Sequence, residues 1–210
     1  MDNGLSLRDV EITAPDGTQL LTMSADVPAG SVMTIMGPSG VGKSTLLAWL
    51  TGTLAAGFRA KGTATLNGRD LSRLAPQHRG LGILFQDHLL FPHLSVAGNL
   101  AFGLAPGGDR AQQVEDALEH VGLQGYGPRD PASLSGGQRA RVALMRMLLS
   151  TPGALLLDEP FSRLDAELRV QMRDLVFELA QNRGLPVVLV THDIDDATAA
   201  GGQRVILRPA

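Results

Sequence analysis

Cysteine is absent from the 210 residues, so the chain can hold neither a disulfide nor a thiolate metal site. A basic excess is also missing. The net charge is −3, which leaves no broad positive field to draw the protein onto nucleic acid or an anionic lipid surface. Long apolar runs do not occur. Stretches such as Ala154-Leu157 and Val187-Val190 fall far short of the roughly 20 residues that span a bilayer. The opening Met1-Asp2-Asn3-Gly4 has no basic region leading into an apolar one, so no secretion signal is expected. If the protein works at a membrane, something else must anchor it there. Internal repeats and low-complexity linkers are likewise not found.

What is present suits one globular domain. Hydrophobic residues make up 44% and charged residues 19%, enough apolar material for a substantial core and too little charge for disorder. Short β-like pieces over Leu5-Ile12, Leu20-Val27 and Ser31-Met36 are separated by the turn signals Pro15-Asp16-Gly17 and Pro28-Ala29-Gly30. A helix over Ser44-Thr53 follows a glycine-rich loop, and Thr63-Leu66 and Leu81-Leu84 are strand candidates. From Asp87 to Ser150 helices and Gly/Pro loops dominate, with apolar residues at helical spacing over Arg110-Val121 and Gln138-Leu149. Beyond them come the apolar strand Ala154-Leu157, a helix over Ala166-Asn182, the apolar strand Val187-Val190 and a last strand, Arg204-Leu207. Strands that are apolar on both faces and alternate with helices predict a covered, mostly parallel sheet.

Three motifs carry chemistry. Gly37-Pro38-Ser39-Gly40-Val41-Gly42-Lys43-Ser44 fits GxxxxGK[ST] between a strand and a helix. Glycines there let backbone N–H groups converge on phosphates at the positive end of a helix. Lys43 adds charge on the terminal phosphates, and the Ser44 hydroxyl can ligate Mg²⁺. Next, Leu155-Leu156-Leu157-Asp158-Glu159 ends a buried strand in two carboxylates, setting Asp158 beside the metal and Glu159 beside an attacking water. Third, Leu134-Ser135-Gly136-Gly137-Gln138 precedes a helix. Ser135 is a good N-cap, and the two glycines expose N–H groups at another positive helix end.

These motifs, in this order, make the chain resemble the ABC ATPases, whose signature motif is LSGGQ. The resemblance covers nearly the whole sequence. It extends to Gln86 (the Q-loop glutamine), Ser162-Arg163-Leu164-Asp165 (the D-loop) and His192 (the switch histidine). It implies an α/β fold: a P-loop NTPase (RecA-like) core with a mostly parallel sheet, an N-terminal antiparallel β subdomain and an inserted helical subdomain. A single ABC ATPase domain would span 1–210, with the nucleotide-binding core at 1–86 and 151–210 and the helical subdomain at 87–150. ATP and Mg²⁺ are the implied cofactors. Glu159, His192, Gln86 and Asp165 are the implied catalytic groups. Gly37 through Ser44, with Thr45, would hold the nucleotide together with Ser135, Gly136, Gly137 and Gln138. Ser44, Gln86 and Asp158 would hold the metal. A second copy is implied, packed head to tail with two ATP molecules in the interface, so that each lies between the phosphate loop of one chain and Ser135-Gly137 of the other.

The implied activity is ATP hydrolysis that drives a separate transmembrane permease, as in the short bacterial importers of the thiamine, iron, molybdate and polyamine type. A solute-binding protein would serve the assembled complex, the chain would sit on the cytoplasmic face of the inner membrane, and no nucleic acid would be bound. An exporter or lipoprotein-release ATPase is the alternative, and a soluble ATPase of DNA maintenance or translation a more distant one. Leu89-Leu90-Phe91-Pro92-His93-Leu94-Ser95-Val96 is the candidate permease groove, with core packing as its other reading. His78, His88, His93 and His120 show no metal-ligand spacing. The chain departs from the family in two respects, one before the phosphate loop and one at the chain's end. The family stacks adenine on an aromatic residue before the phosphate loop, but none occurs before Trp49, and an aliphatic surface near Ile12 and Ala14 is expected instead. No regulatory β-domain is expected after Val205-Ile206-Leu207.

Overall fold

The computed structural model describes residues 3–208. In chain order the elements are β1 (Gly4–Thr13), β2 (Gln19–Pro28), β3 (Val32–Met36), α1 (Lys43–Thr51), β4 (Arg59–Leu66), β5 (Arg69–Asp70), β6 (Leu81–Phe85), α2 (Val96–Gly103), α3 (Arg110–His120), α4 (Gly136–Leu149), β7 (Ala154–Asp158), α5 (Ala166–Asn182), β8 (Val187–Val190), α6 (Ile194–Ala200) and β9 (Gln203–Ile206). They fall into two compact units. Among the described residues, the first comprises those up to 81, 153–159 and those from 177 onward; the second comprises 82–152 and 160–176.

The first unit holds two sheets. One is antiparallel, in the order β2-β1-β4-β5. Alternate residues of β1 and β2 are buried, as expected of strands with one wet face. A bulge between Arg8 and Glu11 breaks the β1–β4 register. Asp9 sits there at φ 48°, and the opposing Gly62 is required, since a Cβ would lie 2.5 Å from the Asp9 carbonyl oxygen. In the second sheet β7, β8, β3 and β9 run side by side and parallel. Leu155, Leu156, Leu157 and Val187 through Val190 are all fully buried, so the central strands are apolar on both faces because both are covered.

α1 buries Leu46, Leu47 and Leu50 and ends at Gly52 in the left-handed conformation. Its last carbonyls, on Trp49 and Leu50, accept from the buried Arg79 guanidinium at 2.8 and 2.7 Å. A cation at the negative end of the helix satisfies orphan acceptors and complements the dipole. A Cβ on Gly52 would meet that guanidinium at 2.8 Å, which leaves no room for another residue.

In the second unit α2 packs on α4, closely enough that a Cβ on Gly103 would lie 2.2 Å from the Arg146 carbonyl oxygen. Buried Asn99 organises the loop before α2. It accepts from the Phe91 N–H and donates to the carbonyls of Phe91, Leu94 and Ser95. Among the described residues no helix is long and apolar enough to cross a membrane.

Candidate functional site

The loop between β3 and α1 owes its path to glycine. Gly40 and Gly42 stand at φ 81° and 98°, a region that side-chain-bearing residues avoid. Gly42 is the N-cap of α1 and supplies no side-chain acceptor. The first N–H groups of α1 therefore open toward the loop with the positive end of the dipole, an arrangement suited to phosphate. Pro38, Ser39, Gly40 and Ser44 are exposed, Thr45 is half-buried, and Val41 packs inward. Lys43 is buried, its ammonium donating to the Gly37 and Pro38 carbonyls at 2.8 and 2.9 Å. The cation is thus held against the inside of the loop.

β7 delivers the two carboxylates. Ser44 Oγ donates to Asp158 Oδ1 at 3.2 Å. Burial pushes the Asp158 carboxyl above its ordinary range, and the neighbouring Glu159 adds to this. The Ser44 hydrogen bond and the Lys43 charge act in the opposite sense. Glu159 adopts φ 46°, unusual for a residue with a side chain, and its N–H donates to the Val190 carbonyl at 2.9 Å. Its Oε1 lies 3.2 Å from His192 Nδ1. The turn after β8 presents that histidine. Thr191 is buried and accepts from the Asp193 N–H at 3.0 Å, while Asp193 caps α6 through the N–H groups of Asp195 and Asp196. The first unit therefore brings together the phosphate loop, Lys43, Ser44, Asp158, Glu159 and His192.

Gln86, Ser135 to Gln138 and Asp165 belong to the second unit. Gln86 is exposed at the end of β6. Ser135 and Gln138 form a reciprocal capping box on α4: Gln138 N–H donates to Ser135 Oγ, and Ser135 N–H to Gln138 Oε1. The Gln138 amide also donates to the Tyr126 hydroxyl at 3.2 Å, so this side chain is engaged within its own unit. A Cβ on Gly137 would meet Leu168 Cδ2 at 2.2 Å, whereas around Gly136 nothing lies within 4 Å. Asp165 Oδ1 accepts from the Leu168 N–H at 3.0 Å. Tyr126 and Leu168 escaped the sequence reading, because neither belongs to a motif.

The adenine expectation needs one correction. Ile12 is fully buried in the antiparallel sheet and offers no surface to a base. Near it Thr13, Ala14 and Leu20 are half-buried and Pro15 is exposed. Ile12 points inward because β1 alternates, and its position in the strand could not be fixed from the residue type alone.

Hard oxygen donors from Ser44 and Asp158 beside a phosphate-binding loop suit Mg²⁺ completed by nucleotide oxygens. Among the described residues no group of three His, Asp or Glu side chains could hold a metal unaided. A helix-start phosphate loop, a strand-end carboxylate pair and a histidine against the second carboxylate define a nucleoside-triphosphate hydrolase.

Comparison with known proteins identifies the family. The model described as "ABC transporter" matches residues 20–162. An ABC transporter ATP-binding protein of Escherichia coli K12, YnjD, is 48% identical over 198 residues, 93% of this chain and 91% of that protein. The thiamine import ATP-binding protein ThiQ of Vibrio vulnificus YJ016 is 48% identical over 184 residues, 86% of this chain and 77% of that protein. The solved structure of cbiO1 from Clostridium perfringens, part of the ABC transporter complex cbiONQ, superposes with a TM-score of 0.86 at 28% identity, covering 99% of this chain and 86% of that one. The chain belongs to the ATP-binding proteins of ABC transporters, which hydrolyse ATP to power transport.

Proposed function

We propose that this chain drives a bacterial-type importer from the cytoplasmic face of the membrane, as a head-to-tail dimer bound to permease subunits and served by a solute-binding protein. The observation that carries the reading is the convergence of Ser44 on Asp158 and of His192 on Glu159 around the phosphate loop. Similarity to a thiamine import ATPase favours import.

In this reading the Gly37–Thr45 loop takes the triphosphate, with Lys43 turning from the Gly37 and Pro38 carbonyls to the terminal phosphates. Ser44, Asp158 and Gln86 would hold Mg²⁺, which supplies charge neutralisation when bound. Glu159 accepts the proton of the attacking water, and His192 orients that carboxylate and contacts the γ-phosphate. Asp165 lies at the interface with the second copy, which offers its Ser135–Gln138 helix start to the nucleotide. Residues 87–150 act as the helical subdomain that meets the permease. Leu89 and Phe102 are exposed there, and the Phe91 ring packs at a tilt against Phe102 with centroids 4.6 Å apart, an apolar surface for a permease helix.

Reconstitution with the cognate permease in vesicles tests direction. ATP supplied on the side carrying this chain should drive solute toward that side. Movement away from it would make the complex an exporter, and absence of Mg²⁺-dependent hydrolysis would remove the site assignment itself.

A further inference from the structure

Two exposed side chains in the second unit join loops that the reading above makes functional. Asp87 follows Gln86 directly, and Arg163 stands two residues before Asp165. Arg163 Nη1 donates to Asp87 Oδ1 in an ion pair. The motif residues cannot drift far from that pair, because two residues of chain reach at most about 7 Å. Asp165 is itself fixed at the start of α5 by its bond from the Leu168 N–H. The charges around the pair are uneven. The guanidiniums of Arg139 and Arg163 and the Asp87 carboxylate all act on the half-buried imidazole of His88, the arginines opposing its protonation and Asp87 favouring it.

We propose that Asp87 and Arg163 are positioning residues, a latch that holds the Gln86 segment and the Asp165 segment in one register for ATP hydrolysis. This rests on the roles given above to Gln86 and Asp165. The latch acts through the Gln86 and Asp165 segments, so it should change turnover more than ATP binding. Both side chains are more than half exposed, which keeps the coupling small and sensitive to salt.

A double-mutant cycle on the purified full chain tests it, with kcat and KM for ATP measured for Asp87→Asn, Arg163→Gln and the pair. Each single change should lower kcat by about two- to fivefold while KM stays within about twofold, the scale set by exposed ion pairs. The double variant should be no worse than the poorer single. Arg163→Lys should recover most of the turnover, and raising KCl from about 0.05 to 0.5 M should slow the native chain and spare the double variant. Wild-type turnover in either single variant, or losses that multiply in the double, overturns the latch. Gln86→Ala and Asp165→Ala separate this from the larger reading. If they lower kcat while the latch variants do not, the latch alone falls. If they too leave kcat unchanged, the roles assigned to both loops fall with it.

Discussion

Glu159 occupies a left-handed backbone position that costs a side-chain-bearing residue about 1–2 kcal/mol. Its N–H bond to Val190 and its contact with His192 hold it there, so the carboxylate is aimed by strain that the C-terminal ends of β7 and β8 support. Glu159→Gln keeps the shape and removes the base. Turnover should fall by about 10²–10⁴-fold with little change in ATP affinity, measured by steady-state hydrolysis and equilibrium binding. Lys43→Ala should do the reverse and weaken ATP binding, because its ammonium belongs to the phosphate loop. His88 gives a pH signature. Burial, then the positive charges of Arg139 and Arg163, hold its imidazole below the ordinary histidine range, against the pull of Asp87. The unfolded chain therefore binds the proton more readily than the fold does, and stability falls as pH drops through about 6.5 toward the folded value. Solvent still reaches the half-buried ring, which keeps the effect small. Melting between pH 7.5 and 5.5 should show a larger loss for the native chain than for His88→Gln, and equal losses would remove His88 as the cause.

At the level of elements, α4 separates two glycines that look equivalent in the sequence. Gly137 lies against Leu168, and Gly136 faces open space. Gly137→Ala must push Leu168 aside and should cost about 1–3 kcal/mol of stability, relieved in part by Leu168→Ala. Gly136→Ala should leave the melting temperature unchanged or slightly raised, since alanine favours a helix. If the helix start meets phosphate, that same variant should nevertheless lose hydrolysis. A Gly136→Ala protein with native turnover would leave Gly136 without a part in hydrolysis. The elements legible in advance were those with a strong period or a fully apolar run: β7, β8 and α5 follow directly from Leu155-Leu157, Val187-Val190 and the spacing within 166–182. α2 was hidden because Val96-Ala97-Gly98-Asn99 reads as loop material, and only the Ser95 cap and the buried Asn99 bonds make it a helix. α6 was missed because seven residues, two of them aspartates in its first turn, carry no apolar period. Within the site, the phosphate loop and the carboxylate pair are visible as motifs. Gln86, Asp165 and His192 are single polar residues that acquire meaning only through family resemblance, and Arg163 opposite Asp87 needed three dimensions.

At the level of the whole molecule, the first unit carries the phosphate loop, Lys43 and the Asp158–Glu159 pair, while the second carries a helix start whose Gly136 faces open space. In the proposed head-to-tail dimer that helix start would meet a partner's nucleotide. Two chains, each carrying a net charge of −3, repel one another and gain little by association until ATP and Mg²⁺ bridge them. If ATP is the bridge, hydrolysis removes the γ-phosphate and the bridge with it, so the native chain should not accumulate as a dimer during turnover. Glu159→Gln should, because it binds ATP without consuming it. Light scattering on Glu159→Gln should give the mass of one chain without nucleotide and with ADP, and twice that with Mg·ATP. Adding Gly136→Arg should abolish the dimer while leaving ATP affinity of the single chain within about threefold. The new side chain enters open space in its own fold, yet in the proposed sandwich it would occupy the position the partner's nucleotide needs. The same mass in all three nucleotide states would rule out the ATP sandwich. A dimer that survives Gly136→Arg would place the contact on some other surface.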